Sequence, residues 1–315
     1  MKLALRSTLI MAGLLMIGAP FHSFAQPVAT TFATGITDPK AIIDDGAGNL
    51  VIADFGAGTT ATSVLDLVSP AGVVTTLTPG NSGLDGPYGL VSLGGLYYVV
   101  NYSANSIATV NPTTGVVTAF PTTGVALNFP GFVVADSGGN LYVANNGTSI
   151  VKIPTAGPSA GVATTLATPG GSVNGLTIGL DGNIYFTGSA GISRMTLAGA
   201  VTPFASSGLF NNPLGIAVGP DHNFYVVNEG GTNVLKVTQA GEVSVYATGF
   251  NVPWALGFNG TNLYVSNDGN ASIAQVPAPP PFPIPALSGW AMILASILLG
   301  GTGVVFATRS GRMAV

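Results

Sequence analysis

The sequence has no cysteine and very little charge, and each scarcity excludes a class of protein. Without cysteine, the 315-residue chain has no disulfides, no thiolate metal ligands and no cysteine-linked lipid. Only 6% of the residues are charged. Between Asp38 and Asp268 there are twelve acidic residues and four basic ones, a net charge of −8. Such an acidic surface disfavours nucleic acid as a partner, and we expect a monomer.

Glycine, by contrast, is abundant at 45 residues, and it separates short runs rich in Val, Ile, Phe and Tyr. The stretch from 211 to 249 holds four such runs, which are Leu214–Val218, Phe224–Asn228, Val234–Thr238 and Glu242–Ala247. Gly, Asn or Asp occurs in each break. Alternating β-type runs and turn residues predict a four-stranded antiparallel meander. One such sheet cannot bury both of its faces alone, so it needs copies of itself.

The second run of this meander recurs six times along the chain. The copies are Asn49–Asp54, Leu96–Asn101, Asn140–Asn145, Asn183–Gly188, Asn223–Asn228 and Asn262–Asn267. Their last residues are spaced by 47, 44, 43, 40 and 39 positions, and a Pro-x-Gly-like motif precedes each copy. A period of this length with four strands per repeat is typical of a β-propeller.

The sixth repeat has only three runs before the chain becomes proline-rich at Pro277. The missing strand is at the other end, because the sequence from Thr30 to Pro39 matches that from Ser244 to Pro253 in register. Val28–Thr34 is therefore predicted to complete the last blade and close the ring. A β-sandwich or an open solenoid is the alternative, but neither explains the displaced strand.

The Pro-x-Gly motif, the Asp181-Gly-Asn183 turn and the Leu-Tyr-Val-x-Asn strand resemble those of the NHL-repeat and SMP-30/gluconolactonase-like six-bladed propellers. The resemblance covers about Pro27 to Pro277. It implies an all-β fold, and it says little about activity because this fold hosts many functions.

The first 25 residues have the features of a secretory signal peptide. Lys2 and Arg6 are followed by an apolar core, and the sequence Ser23-Phe-Ala25 is a small-x-small cleavage site before Gln26. An uncleaved anchor helix is the alternative. We predict domain boundaries of 1–25 for the signal and 26–277 for the propeller.

After the propeller, residues 278–286 form a proline-rich spacer, 287–308 a charge-free stretch and 309–315 a basic tail. The 22 residues of Leu287–Thr308 would span about 33 Å as a helix, enough for a bilayer, and Arg309 and Arg312 would stay cytoplasmic. The sequence predicts one C-terminal transmembrane helix with the propeller outside the inner membrane.

The start of this tail resembles the IPTLxxWG-CTERM sorting signal of bacteria. Ile284, Pro285, Leu287 and Trp290 match that motif, while Ala286 and Ala291 depart from it. The resemblance implies export in a Gram-negative bacterium, cleavage by an exosortase-type enzyme, and release or display at the cell surface. A plain membrane anchor is the alternative.

Antiparallel strands place the start of each first strand and the end of each second strand on one face, here called the mouth. Candidate ligand-binding residues lie there: Lys40, Tyr88, Asn101, Asn145, Asn174, Asn228, Glu229, Trp254, Asn267 and Asp268. The strand-end asparagines are explained equally by turn stabilisation. Tyr88 and Trp254 either form an aromatic wall for a ligand or block the central channel.

Catalytic patterns at the mouth are incomplete. Val173-Asn-Gly-Leu176 resembles the Asn-Gly-Leu motif that supplies a calcium or zinc ligand in gluconolactonase-like enzymes, but Leu214 stands where that family has an Asp. Tyr185–Gly188 resembles a strand of Vgb-like lyase propellers, with Gly188 in place of a Glu. Glu229 and Asp268 are a candidate acid/base pair, although two solvated carboxylates explain them too. His222 is placed on the opposite face.

The sequence thus predicts an exported ligand- or partner-binding propeller without catalytic residues and without a cofactor. Its partner is an unknown small molecule or surface component. The alternative is a divergent metal-dependent hydrolase that uses calcium or zinc, with Asn174 as a ligand.

Overall fold

A computed structural model of the protein describes residues 26–281, which form six antiparallel sheets arranged as the blades of a propeller. Blades 1 to 3 contain Pro39–Asp44, Leu50–Asp54, Val64–Val68 and Val74–Thr76; Pro87–Leu93, Leu96–Asn101, Ser106–Val110 and Val117–Phe120; and Val133–Ala135, Asn140–Asn145, Ser149–Pro154 and Val162–Ala167. Blades 4 to 6 contain Leu176–Ile178, Ile184–Gly188, Gly191–Met195 and Val201–Ala205; Pro213–Val218, Phe224–Asn228, Asn233–Val237 and Val243–Thr248; and Pro253–Asn259, Asn262–Asn267, Ser272–Pro277 and Thr30–Thr34.

The predicted six-bladed all-β architecture is confirmed. The first strand of each blade contacts the first strands of both neighbours, in the cyclic order 1 to 6 and back to 1, so these strands surround the central axis. Thr123–Gly124 adds a short parallel strand to the outer edge of blade 3. Two one-turn 3-10 helices, Glu229–Gly231 and Asp268–Asn270, follow the second strands of blades 5 and 6.

Ring closure follows the predicted strand exchange. Thr30–Thr34 pairs antiparallel with Ser272–Pro277, with Thr30 opposite Gln275 and Thr34 opposite Ser272. The first residues of the predicted strand do something different. Val28 forms a parallel bridge with Thr248 of blade 5, and the Ala29 N–H donates to the Thr248 carbonyl at 2.9 Å. The N-terminal segment therefore joins blades 5 and 6 as well as completing the latter.

The core consists of six apolar clusters, one at each seam between neighbouring blades. At five seams, a large apolar side chain lies three residues before the proline at the entry to the next blade, and it is here called the plug residue. The five plug residues are Ile36, Leu84, Leu127, Phe210 and Phe250. Burying one such side chain stabilises the fold by about 1.5–3 kcal/mol.

Several predictions made for the two ends of the chain fall outside residues 26–281. These are the signal peptide, the sorting motif at Ile284, Pro285, Leu287 and Trp290, the transmembrane helix and the basic tail. Within the described range, no helix is long and apolar enough to cross a membrane.

Candidate functional site

The mouth has the geometry that antiparallel pairing predicts. The first residue of a blade's first strand lies opposite the last residue of its second strand: Pro39 opposite Asp54, Pro87 opposite Asn101, Pro213 opposite Asn228 and Pro253 opposite Asn267. All the candidate residues from these two positions therefore lie on one face.

The strand-end asparagines are buried, and their amides bond to the chain itself. Asn101, Asn145, Asn228 and Asn267 are each 6% exposed or less. Their Oδ1 atoms accept backbone N–H groups of the preceding loop, those of Asp85, Asn128, Asn211 and Asn251, at 2.6–3.2 Å. Of the two explanations that the sequence left open, this geometry favours turn stabilisation.

Blade 1 uses a carboxylate for the same purpose. Asp54 accepts the N–H groups of Thr37, Asp38 and Gly56 at 2.7–2.9 Å. Blade 4 ends its strand in Gly188 and uses Thr187 instead, whose hydroxyl accepts from the Gly175 N–H at 2.9 Å. The strand-end ring thus holds the loops that carry the mouth residues in place.

Lys40 lies at the centre of a charged cluster on the seam between blades 1 and 6. Its ammonium is 2.6 Å from Asp38 Oδ1 and 3.1 Å from Asp268 Oδ1, and it lies 3.9 Å from the centre of the Trp254 ring. The Lys40 side chain is only 9% exposed. An ammonium in this position gains both ion pairing and a cation–π contact.

The two carboxyls of the cluster also contact each other. Burial, together with a hydrogen bond to Asp268, raises the pKa of Asp38 to about 6. The pKa of Asp268 is lowered, because Asp38 donates to it and Lys40 lies beside it, and these effects outweigh its burial. Below about pH 6 the pair therefore holds one proton beside a lysine.

Aromatic rings occupy the adjoining part of the mouth. Tyr88 stacks on Tyr102 with centroids 5.2 Å apart, and it makes edge contacts with Phe132 at 5.4 Å and Trp254 at 5.7 Å. Burial and the neighbouring Tyr102 raise the pKa of Tyr88, so its hydroxyl stays protonated. The Trp254 indole N–H contacts Tyr88 but has no acceptor at good hydrogen-bond geometry.

A cavity of about 260 Å³ opens beside these rings, on the side of blades 2 to 4. Its lining includes the aromatic side chains of Tyr88, Tyr102, Phe129 and Phe132 together with the amides of Asn146 and Asn174. A second cavity of about 290 Å³ lies along the axis below, between the innermost strands, and is lined mainly by apolar residues. Phe132 lines both. Tyr88 and Phe132 thus form a wall of the mouth cavity, and Phe132 lies between the two cavities.

The structure brings together only part of the predicted site. Lys40, Trp254 and Asp268 meet in the charged cluster, and Tyr88 and Asn174 line the mouth cavity. The Glu229 carboxylate accepts from the Asn212 amide, whereas Asp268 pairs with Lys40 and Asp38. The two carboxylates of the predicted acid/base pair therefore have separate partners.

Sequence reasoning did not select Asp38, Tyr102, Phe129, Phe132 or Asn146. A signal for two of them was present. Tyr102 and Asn146 each follow a strand-end asparagine, as Glu229 and Asp268 do in blades 5 and 6. The residue after the strand-end position therefore carries the mouth chemistry, whereas the strand-end residue itself stabilises the loop.

The donor set does not fit the calcium or zinc site that the family resemblance implies. The Asn174 amide donates to the Pro213 carbonyl at 3.0 Å, and Leu214, with a hydrocarbon side chain, occupies the place of the expected Asp. Within residues 26–281, no group of three or more His, Asp or Glu side chains is placed to hold a metal ion. A hard divalent ion needs several oxygen ligands at once.

No protein-family model and no curated protein sequence matches this chain. Solved structures do match. A gluconolactonase from Xanthomonas campestris is similar at a TM-score of 0.66 and 16% identity, over 82% of this chain and 96% of that one. A streptogramin B lyase is similar at 0.59 and 16%, over 81% and 98%. Virginiamycin B lyase from Staphylococcus aureus is similar at 0.56 and 19%, over 80% and 88%. At these identities the likeness establishes the propeller fold alone.

Proposed function

We propose that the protein is an exported propeller that binds a small molecule in the mouth cavity. The observation that carries this proposal is the cavity of about 260 Å³ lined by four aromatic rings and two asparagine amides. Ligand pockets typically combine apolar walls with a few polar groups that fix orientation. The ligand is a small, largely uncharged molecule with a ring or sugar face that stacks on Tyr88 and accepts a hydrogen bond from an asparagine amide of the lining.

Trp254 can report this binding by its fluorescence, because its ring lies 5.7 Å from that of the cavity residue Tyr88. The chain has two tryptophans, Trp254 and Trp290, so a Trp290→Phe background leaves the mouth residue as the only indole. We would titrate this protein with neutral sugars, phenols and lactones and follow its fluorescence. At least one class should give a saturable change, and Tyr88→Ala should weaken that binding at least tenfold.

The control is Leu180→Ala, which alters an apolar side chain that is 63% exposed and lies outside the cavity lining. It should leave the titration unchanged. A panel without any saturable response, or a response that survives Tyr88→Ala, would overturn the proposal.

A divergent hydrolase is the second candidate, and the proton-sharing pair of Asp38 and Asp268 is the observation that favours it. Such a pair beside a lysine has the composition of an acid/base centre. Lactone or ester turnover that depends on a group with a pKa near 6, and that Asp268→Asn abolishes, would favour this function over simple binding. Metal analysis of the same preparation would test the calcium- or zinc-dependent form.

We also propose that the protein is exported, anchored in the membrane and then released from its anchor. A signal peptide at 1–25, a spacer, a motif at Ile284–Trp290 and a charge-free span followed by arginines support export, anchoring and then cleavage by an exosortase-type enzyme. The mature protein from its own host should lack residues beyond about Trp290. Peptides that contain Arg309 in surface-localised protein, detected by mass spectrometry, would instead indicate a permanent anchor.

A further inference from the structure

One of the six seams lacks its plug residue. Ile36 and Phe250 each stand three positions after a buried alanine, Ala33 and Ala247, and three before a proline. In the loop between blades 3 and 4, the position three after Ala167 and three before Val173 is Gly170. Gly170 has no side chain, and its φ of +82° disfavours any other residue. The seam between blades 3 and 4 therefore lacks the apolar group that the other five contain.

A cavity of about 430 Å³ lies at this place. Its walls include Gly170, Gly171, Phe186, Ser193, Val201 and Pro203. Phe186 and Val201 also belong to the apolar cluster of this seam. The cavity is larger than that at the mouth, and its volume falls within the range of small-ligand pockets.

Hydrogen bonds to neighbouring loops hold the loop that borders the cavity in its position. The Ser172 hydroxyl accepts the Ser189 N–H at 2.7 Å, and the Val173 N–H donates to the Gly147 carbonyl at 2.7 Å. Gly188 permits this close approach, since a Cβ at that position would lie 2.4 Å from the Ser172 carbonyl oxygen. These contacts fix the loop where it is, so the seam does not collapse into the vacant volume.

We propose that this cavity is a second binding site, which takes an apolar ring or branched alkyl group of a neutral ligand in place of the missing plug side chain. Leu and Phe side chains fill the equivalent volumes at neighbouring seams, so a group of that size and chemistry fits here. The serines at the rim, Ser172, Ser189 and Ser206, supply polar groups for the remainder of the ligand. This site is separate from the mouth cavity and does not depend on it.

The absence of cysteine from the chain provides a clean test. In full-length protein, Ser193→Cys places a single thiol in the wall of the cavity, and Ser244→Cys places one on an exposed strand of blade 5. Labelling by N-ethylmaleimide is measured by mass spectrometry at rising concentrations of indole, a neutral apolar ring. Indole should slow labelling of the Ser193→Cys protein at least tenfold and leave the Ser244→Cys protein unaffected.

Filling the cavity should remove this protection. Gly171 has an ordinary φ, and a Cβ there meets open space, so Gly171→Leu in the Ser193→Cys background occupies the site without strain. Gly208→Leu is the matched control, because Gly208 also has an ordinary φ and open space around it. Protection should persist with Gly208→Leu and with Tyr88→Ala at the mouth.

Three results would overturn the proposal. They are the same indole effect on both cysteines or on neither, protection that survives Gly171→Leu, and protection lost with Tyr88→Ala in a protein with an unchanged melting curve. Melting curves of each variant show whether a loss comes from unfolding.

Discussion

Two sides of the ring are built differently. The closing side, formed by blades 6 and 1, has the exchanged strand Thr30–Thr34, the plug residue Ile36 and the cluster of Asp38, Lys40 and Asp268. The pocket side, formed by blades 2 to 4, has the mouth cavity and the seam without a plug residue. The closing side joins the two ends of the propeller chain through the pairing of Thr30–Thr34 with Ser272–Pro277. The two cavities that we propose as ligand sites both lie on the pocket side.

The largest effect should come from removing the exchanged strand. Deletion of Val28–Thr34 leaves Ser272–Pro277 as an unpaired edge and exposes the seam that Phe32 and Ala33 cover. Each blade depends on both neighbours, so we expect aggregation or a fall of more than about 10 °C in Tm, since 1 kcal/mol corresponds to ~2–4 °C at this size.

The control for the deletion is Val28→Ser, which alters a side chain that is 66% exposed. It should melt as the parent protein does. Equal melting of the deletion variant and the parent would show that the closing side needs no strand exchange.

A smaller effect is expected from Lys40→Met. The change leaves Asp38 and Asp268 together without their cation, and both side chains are less than one-third exposed. We expect a loss of about 2 kcal/mol in the free energy of unfolding at pH 7.5. At pH 5 the loss should be smaller, because Asp38, with a pKa of about 6, is then largely protonated.

Urea unfolding at both pH values measures this difference. Lys152→Met is the control, since within residues 26–281 the Lys152 ammonium has no ion pair and lies 5.9 Å from the centre of the Tyr142 ring. A cost for Lys40→Met that does not change with pH would contradict the assigned pairing.

The smallest effect is a gain in stability on the closing side. Asp66 of blade 1 is 3% exposed, and burial raises its pKa to about 6. When folding raises the pKa of a carboxyl, the protein loses stability as the pH rises from about 4 to 6. The reason is that the carboxyl gives up its proton first in the unfolded state. Asp66→Asn removes this cost and should stabilise the protein by roughly 1–2 kcal/mol at pH 8. At pH 4 it should have little effect.

Asp221→Asn is the matched comparison with the opposite sign. The pKa of Asp221 is lowered, despite its burial, by the Lys236 ammonium at 2.7 Å and by hydrogen bonds from Asn223 and Tyr225. Ionised Asp221 therefore stabilises the protein above the pKa that this carboxyl has in the unfolded state. The stabilisation is lost as the pH falls through its lower pKa in the folded state. The substitution should therefore destabilise at pH 8. Melting curves of both variants at pH 4 and pH 8 show whether Asp66→Asn stabilises the protein while Asp221→Asn destabilises it.

The sequence predicted the architecture well, because local patterns encode it. The strand Asn223–Asn228 and its copies carry their own alternation and turns, and the match of residues 30–39 with 244–253 identified the exchanged strand. The pairing of Asp38 with Asp268 could not be predicted, since closure alone brings residues so far apart in the chain together. The sequence also left the role of the strand-end asparagines open, because an asparagine at a strand end can either stabilise a turn or bind a ligand.

The absent plug residue was visible in the sequence once the loops were aligned on Ala167. Its consequence was not, since a glycine in a loop normally marks a turn. Only the fixed position of the loop, held by Ser172 and Gly188, makes that glycine a cavity wall.

Crystals soaked with a mixture of neutral aromatic and sugar fragments would show where on the ring small molecules bind. We expect fragment density against Tyr88 in the mouth cavity and beside Gly170 in the seam between blades 3 and 4, with none on the closing side. Density confined to the cluster of Asp38, Lys40 and Asp268, or no density in either cavity at fragment concentrations that saturate ordinary pockets, would contradict it.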